Sequence, residues 1–446
     1  MINSKYVRDH LQDLKHSMEK RKLDYPLDEI MGFDQKSREY KTKIQDLQKQ
    51  KNQISKEIAE MKKQSNEGGL EALIEKSAEI KNKIDQINSE LQAYEAKVDS
   101  LLWNLPNTLH ESVPYGESSD DNVEIKRWIP EGKTISCKKT DYNAKTHEDI
   151  LVDLDLLDLQ KAAKVTGARF YYLKNDLVLL EQSLIRFALD EMSRKGYSLI
   201  LPPYMIRKEY YKGVTALGDF EEALYSVADP KEMQAKKGLE ATNEDLFLIS
   251  TSEHAIAAMH SDDVFSGNRL PLKYAGISPC FRREAGSHGK DTKGIFRVKQ
   301  FNKVEQFIFS RQEDSWKYFD ELLKNSESIY QKLGIPYRAV SICTGDIGAV
   351  AAKKIDLEAY MPLQDTFREI VSCSNCTDWQ STRLNIKYDE GNERKHVHTL
   401  NSTALATTRT IVAIVENYLN SDGSISVPDA LVPYFGKSRI TKNEKQ

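Results

Sequence analysis

The sequence predicts an α+β protein: an N-terminal antiparallel two-helix coiled-coil arm, then a larger domain built on an antiparallel β-sheet flanked by helices. Three observations carry that prediction. A window without proline between Pro26 and Pro106 keeps a heptad spacing of apolar residues. A polar stretch punctuated by prolines follows it. The remainder mixes short β-rich runs with helical patterns, without the regular βαβ alternation of a parallel sheet.

Composition bounds the possibilities further. The chain has 446 residues, 64 Lys+Arg against 68 Asp+Glu, a net charge of −4, 39% hydrophobic and 30% charged residues. That allows two or three domains with a sizeable core and a generous solvated surface. The balanced charge excludes a protein that grips polyanions by bulk charge, and leaves local basic patches open. No uncharged apolar run approaches the roughly 18–20 residues of a spanning helix, and the N-terminus lacks an apolar signal core. Five cysteines, an odd number, point to a reducing compartment rather than a disulfide framework. The expectation is a cytoplasmic protein with no membrane association.

In the arm, Ile44, Leu47, Ile54, Ile58 and Met61 occupy alternating a and d positions, with Lys51 at one a position. On the second side Leu73, Ile80, Ile84, Ile87, Leu91, Tyr94, Val98 and Leu101 do the same, with Ser77 at an a position. Steps of three and four residues keep one narrow seam turned toward a partner helix. The run Ser65-Asn66-Glu67-Gly68-Gly69 breaks the pattern, and its paired glycines suit a helix stop and reversal. The prediction is a hairpin over about residues 36–102, inside an N-terminal domain of residues 1–112. Its helices would each be about 45 Å long at 1.5 Å per residue. The same heptads would serve a coiled coil between two chains; the self-closing turn favours a hairpin within one.

From about Trp103 the texture changes. Pro106, Pro114 and Pro130 punctuate a stretch that reads as a linker, and a second domain is assigned to residues 113–446. Leu177–Lys195 has helical periodicity, and residues 197–203 read as a strand ending at the pair Pro202-Pro203, a place a strand tolerates proline. Further strands are predicted over 246–249, 278–284, 296–309 and 339–342.

The runs 278–286 and 294–307 concentrate the chemistry. Read as two strands, Arg282 and Glu284 share one face of the first, and Arg297, Phe301 and Glu305 share one face of the second. One sheet surface would then present guanidinium groups, carboxylates and a ring, as a nucleotide site needs. A solvated hairpin with cross-strand ion pairs fits the alternation equally well. A third piece favours the site: the helical stretch 403–419 carries Arg409 as its single positive charge among Ala, Ile and Val. A guanidinium so placed needs a partner, either a protein carboxylate or the phosphates of a ligand.

These residues resemble a known family. The pieces FRRE…RVKQF…E and LNSTALATTRTIVAIVENY look like motifs 2 and 3 of class II aminoacyl-tRNA synthetases, in the form seen in seryl-tRNA synthetases of archaeal and eukaryotic type. Residues 177–205 are similar to motif 1, with Pro202 or Pro203 at its proline; motif 2 spans about 278–307 and motif 3 about 399–419. AKVTGARFYYL, TSE, REIVSCSNCTDWQSTRLNIKY and ENYLNSDGSISVPDALVPY match in order, and the hairpin is similar to the family's tRNA-binding arm.

The resemblance implies a serine–tRNA ligase: L-serine is activated by ATP with Mg²⁺ to seryl-adenylate, then transferred to the 3′-terminal ribose of tRNA(Ser), and of tRNA(Sec) in some members. It implies a homodimer formed through motif 1. It implies that Arg282 holds the α-phosphate, where charge develops in the transition state, that Glu284 accepts from the adenine amino group, and that Phe301 stacks on the purine. Arg409 would meet the γ-phosphate and the other purine face. The nucleotide-binding set carried over is Arg282, Arg283, Glu284, Val298, Lys299, Gln300, Phe301, Glu369, Ile370, Val371, Ser372 and Arg409. Within it Glu369 and Ser372 would hold Mg²⁺. Thr251, Ser252, Glu253, Arg282, Glu305, Asn401 and Thr403 would surround serine. The substrate carboxylate attacks phosphorus, so no general base is assigned.

Lys299 stands where many members have His, Val371 where Ser is common, and Ser252 where Ala is frequent; none removes a charge the chemistry needs. Cys373 and Cys376 have CxxC spacing, but a structural zinc site usually adds a second pair, so no zinc is expected. His147, in the run THEDI, reads as structural, a turn cap. Two alternatives are weighed. An activator that loads a carrier protein would lack the arm. A paralogue without aminoacylation activity would have lost Arg282, Arg409 or the pocket carboxylates.

Overall fold

The computed structural model describes residues 4–63, 69–138, 145–216, 223–228, 245–284 and 293–442. The chain divides into two units, Met1–Thr108 and Leu109–Gln446.

The first unit is helical. After short helices Ser4–Asp9 and Leu11–Lys20, α1 spans Leu27–Lys63 and α2 spans Leu70–Asn104. Pro26 precedes α1, Asp28 and Glu29 lie in its first turn and Lys62 and Lys63 in its last, all matched to the helix dipole. At 1.5 Å per residue the helices are about 55 and 52 Å long. Most of the turn expected at 65–69 lies outside the described residues; Gly69, at φ +93°, precedes α2. Ile54, Ile80 and Ile84 form a buried seam, with Ile44, Leu47, Ile58 and Leu73 packed beside it. Leu91 and Val98 extend it, but Leu102, not Leu101, is buried at its base. A straight helix drifts about 20° per heptad from a 3.5-residue repeat, which moves the buried position on by one residue. Polar pairs flank the seam: Lys41 to Glu95 at 2.8 Å and the Tyr40 hydroxyl to Glu90 at 2.8 Å.

The second unit is built on eight strands: β1 Val123–Trp128, β2 Ser198–Ile200, β3 Leu272–Phe281, β4 Gln300–Ser310, β5 Tyr337–Ser341, β6 Lys353–Met361, β7 Thr366–Asn375 and β8 His398–Ala406. Their order is β1-β5-β6-β7-β8-β4-β3-β2. Every neighbouring pair is antiparallel except β2 with β3. The α+β expectation therefore holds, with one parallel edge strand. Helices α3 (Asp176–Arg194), α5 (Ser315–Lys332) and α6 (Thr407–Tyr418) contribute Leu184, Phe319, Leu322 and Ile411 to the main core, where they meet Val304, Ile308 and Leu405 of the sheet.

The stretch expected to be a linker is anchored instead. Leu109 and Val113 pack against Val340, Ile342 and Ile347, and the His110 N–H donates to Ala352 O at 2.9 Å. Gly116 lies so close to Cys343 that a Cβ would sit 2.8 Å from its Sγ. Residues 109–112, placed with the arm by sequence, thus pack in the second unit. Among the described residues no helix is long and apolar enough to cross a membrane.

Candidate nucleotide and amino-acid site

Period-two alternation decides what the sheet presents. On β4, Val304, Gln306 and Ile308 turn to the helices, Gln306 donating to Leu322 O and Ser326 Oγ. Phe301, Lys303 and Glu305 turn the other way, into a cavity of about 430 Å³. The same wall receives Lys354 from β6, Glu369, Ser372 and Ser374 from β7, Asn401 and Thr403 from β8, and Arg409 from the first turn of α6. Thr251 and Glu253 complete it from α4 (Ser252–Met259), where the Thr251 hydroxyl caps the helix by accepting the Glu253 N–H at 3.3 Å.

One end of the cavity is cationic. Arg282 lies just past β3, its N–H donating to Lys299 O at 2.9 Å, and its guanidinium sits 5.3 Å from the Phe301 ring. Arg409 donates from Nη1 to Glu369 O and to Glu369 Oε1, both at 2.9 Å. Of the two partners open for Arg409 in the sequence, the protein carboxylate is present, and the guanidinium also lines the cavity. Desolvation pushes the Glu369 carboxyl up, but Arg409, Lys354 and Arg282 overcome it and hold it down at about 2. Below the wall, burial pushes the Asp356 carboxyl up to about 7 against the pull of Lys354, 3.8 Å away.

The other end holds two carboxylates. Glu305, 2% exposed, pairs with Lys303 at 2.6 Å and accepts from the Thr403 hydroxyl at 3.2 Å. Glu253 accepts from the Gln380 amide at 2.9 Å and the Asn401 amide at 3.1 Å. Burial first, and Glu305 second, push Glu253 up to about 7. Beneath it, burial drives the His254 imidazole down to about 3, and it stays neutral against the Tyr211 hydroxyl at 3.0 Å.

The two-strand reading of motif 2 needs correction. Strand β3 ends at Phe281 and β4 starts at Gln300, its first pairing being Gln300 with Phe281. Arg282, Glu284 and Arg297 therefore lie beyond the ladder, not on strand faces. Glu284 adopts φ +52°, which turns the chain, and pairs with Arg297 at 3.5 Å. The loop 285–292 falls outside the described residues.

Of the residues singled out by sequence, the cavity brings together Thr251, Glu253, Arg282, Phe301, Glu305, Glu369, Ile370, Ser372, Asn401, Thr403 and Arg409. Others stand apart from it. Ser252 is buried and donates to Gly276 O at 3.1 Å; Val298 and Val371 belong to the main core. Arg283 is exposed, its N–H donating to Ala223 O; Gln300 is exposed at the strand start. The Lys299 ammonium lies 5.9 Å from the Phe170 ring. Sequence reasoning missed Lys303, Lys354, Asp356 and Gln380. Lys303 was within reach, since it shares the period-two face of Phe301 and Glu305. The two cysteines of the CxxC run face different surroundings: Cys373 Sγ lies 3.9 Å from Phe319 O on α5, whereas Cys376 Sγ receives the Asn401 amide at 3.5 Å.

Residues 1–109 match the seryl-tRNA synthetase N-terminal domain, and residues 237–418 match the class II tRNA synthetase core domain of the G, H, P, S and T type. The serine–tRNA ligase of Thermococcus sibiricus is 46% identical over an alignment of 466 residues, covering 100% of this chain and 99% of that protein. This chain belongs to the seryl-tRNA synthetases. As a seryl-tRNA synthetase it is also similar to two solved structures. The seryl-tRNA synthetase of Pyrococcus horikoshii complexed with ATP has a TM-score of 0.89 at 42% identity, covering 100% of both chains. The cytoplasmic serine–tRNA ligase of Naegleria fowleri in complex with AMP has a TM-score of 0.83 at 37% identity, covering 97% of this chain and 96% of that one. The family, and the archaeal or eukaryotic form expected from the motifs, are those found, with archaeal relatives at 42–46% identity.

Proposed function

We propose that this chain is a cytoplasmic serine–tRNA ligase that makes seryl-adenylate in the cavity described above and transfers the seryl group to tRNA(Ser). The observation that carries this reading is a single cavity in which Arg282, Arg409 and the Phe301 ring gather around Glu369, while Glu253 and Glu305 gather with Lys303, Asn401 and Thr403.

ATP fits the cationic end. Phe301, backed by Arg282, offers a face for the purine, and Arg282 and Arg409 offer forks for phosphate. Serine fits the other end, its ammonium against Glu253 and its hydroxyl near Glu305 and Thr403. So placed, the serine carboxylate attacks the α-phosphorus, the bond to pyrophosphate breaks, and pyrophosphate leaves. A ribose hydroxyl of the tRNA end then attacks the seryl carbonyl carbon and AMP leaves. The chain supplies position and fixed positive charge to both steps.

The wall also suits Mg²⁺. Glu369 stays ionised, the Ser372 hydroxyl adjoins it on β7, and buried Asp356 Oδ1 has no hydrogen-bond partner. Such oxygen donors match a hard cation, whose chemistry is to neutralise phosphate charge. Because Arg409 also donates to the Glu369 backbone oxygen, its guanidinium keeps an anchor when the carboxylate is otherwise engaged.

The arm is proposed to hold the tRNA body. Exposed lysines along both helices would meet RNA phosphates, with affinity falling as salt rises. A homodimer through motif 1 accords with the exposed apolar groups Leu199, Leu201, Tyr204 and Met205. The test is ATP–pyrophosphate exchange across the twenty amino acids. Serine alone should drive it; exchange driven by another amino acid, or by none, refutes the reading.

A further inference from the structure

His147 heads the helix His147–Asp153 but does not cap it; Thr146 does, accepting the Asp149 N–H at 3.2 Å. The imidazole points elsewhere. Its Nε2 accepts the Ile295 N–H at 3.3 Å, where the chain returns from the motif 2 loop toward β4. The approach is so close that a Cβ on Gly294 would stand 2.1 Å from that nitrogen. Its Nδ1 lies 3.8 Å from Glu416 Oε1, on the last turns of α6, the helix that carries Arg409.

From there the contacts close into a ring. Glu416, fully buried, accepts from the Leu363 N–H at 2.9 Å and from the Gln364 amide at 2.6 Å. Gln364 accepts from Arg368 Nη1 at 2.8 Å. The Arg368 guanidinium lies 4.3 Å from the Phe296 ring, and Phe296 follows the residue that His147 holds. Phe296 also lies 5.1 Å from the Arg409 guanidinium. The ring of contacts thus joins four stretches distant in sequence and ends beneath one cavity arginine.

We infer that His147 is a positioning residue for ATP: by holding Ile295 it sets the Phe296 ring, and that ring sets the plane of the Arg409 guanidinium facing the nucleotide. The inference rests on the ligase reading and deepens it. His147 does not line the cavity, and its contacts reach it only through Phe296 and Arg409, so its effect should appear with ATP and not with serine.

The experiment measures KM for ATP and for serine separately in pyrophosphate exchange, with ATP titration calorimetry on the same proteins. Misplacing a binding group by about 1 Å costs up to about 100-fold, so His147→Ala should raise KM for ATP by about tenfold and leave KM for serine within about twofold. His147→Gln, which can carry an acceptor to the level of Nε2, should restore most of the loss. Adding Phe296→Leu to His147→Ala should cost little beyond Phe296→Leu alone, since both act through one contact. If His147→Ala does not fold, His147→Asn, too short to reach Ile295, replaces it. Equal rises in both KM values, no rise in KM for ATP, no recovery in His147→Gln, or additive effects with Phe296→Leu would each overturn the inference. Failure of the unaltered chain to exchange with serine would overturn the ligase reading instead; the calorimetric comparison would still decide His147.

Discussion

Replacing Arg409 by Ala separates the two units most sharply. The change removes a guanidinium that donates twice to Glu369 at 2.9 Å and lies on Phe296. The folded protein should lose little. The Glu369 side chain is 47% exposed, so solvent screens the pair to about 1 kcal/mol or less, and the ring contact adds about 0.5–1 kcal/mol. Catalysis should lose far more, because one fixed donor aimed at developing charge is worth about 2.7–4 kcal/mol, or roughly 100- to 1,000-fold in rate. Serine-dependent pyrophosphate exchange would measure that loss, and filter binding of tRNA(Ser) would be followed in parallel. Exchange within about tenfold of the parent, or tRNA affinity falling as far as exchange, would refute the assignment of Arg409 to the nucleotide.

Two further predictions follow from the same geometry. Glu253, raised to about 7, must be ionised to receive an ammonium group, so apparent serine affinity should be full well above pH 7 and weaken about tenfold per unit below it; a KM for serine that stays level from pH 8 to pH 5.5 would contradict this. Deleting residues 41–94 removes the arm seam formed by Ile54, Ile80 and Ile84 and should keep exchange while abolishing tRNA charging; loss of both would show that the units do not work separately.

What could be read in advance followed the range of the interactions involved. The arm was legible because a heptad repeat is local and repeats over many turns; its base slipped from Leu101 to Leu102, and its first helix begins at Leu27 rather than near residue 36, ahead of the heptads that marked it. Phe301 and Glu305 were legible by alternation along one strand. Arg282, Glu284 and Arg297 were assigned to strand faces because alternation says nothing of where a ladder stops, and here it stops at the pairing of Phe281 with Gln300. Lys354 and Asp356 went unnoticed because only the pairing of β6 with β7 brings them beside Ser372 and Ser374. His147 read as a turn cap because its partners, Ile295 and Glu416, lie 148 or more positions away.

Whether one cavity houses both substrates is best tested by calorimetric titration with a non-hydrolysable seryl-adenylate analogue. The account predicts a single site per chain, binding tighter than ATP or serine alone, displaced by ATP and weakened by both Glu253→Gln and Arg282→Ala. An analogue that binds no tighter than ATP, or whose binding ignores Glu253→Gln, would contradict it.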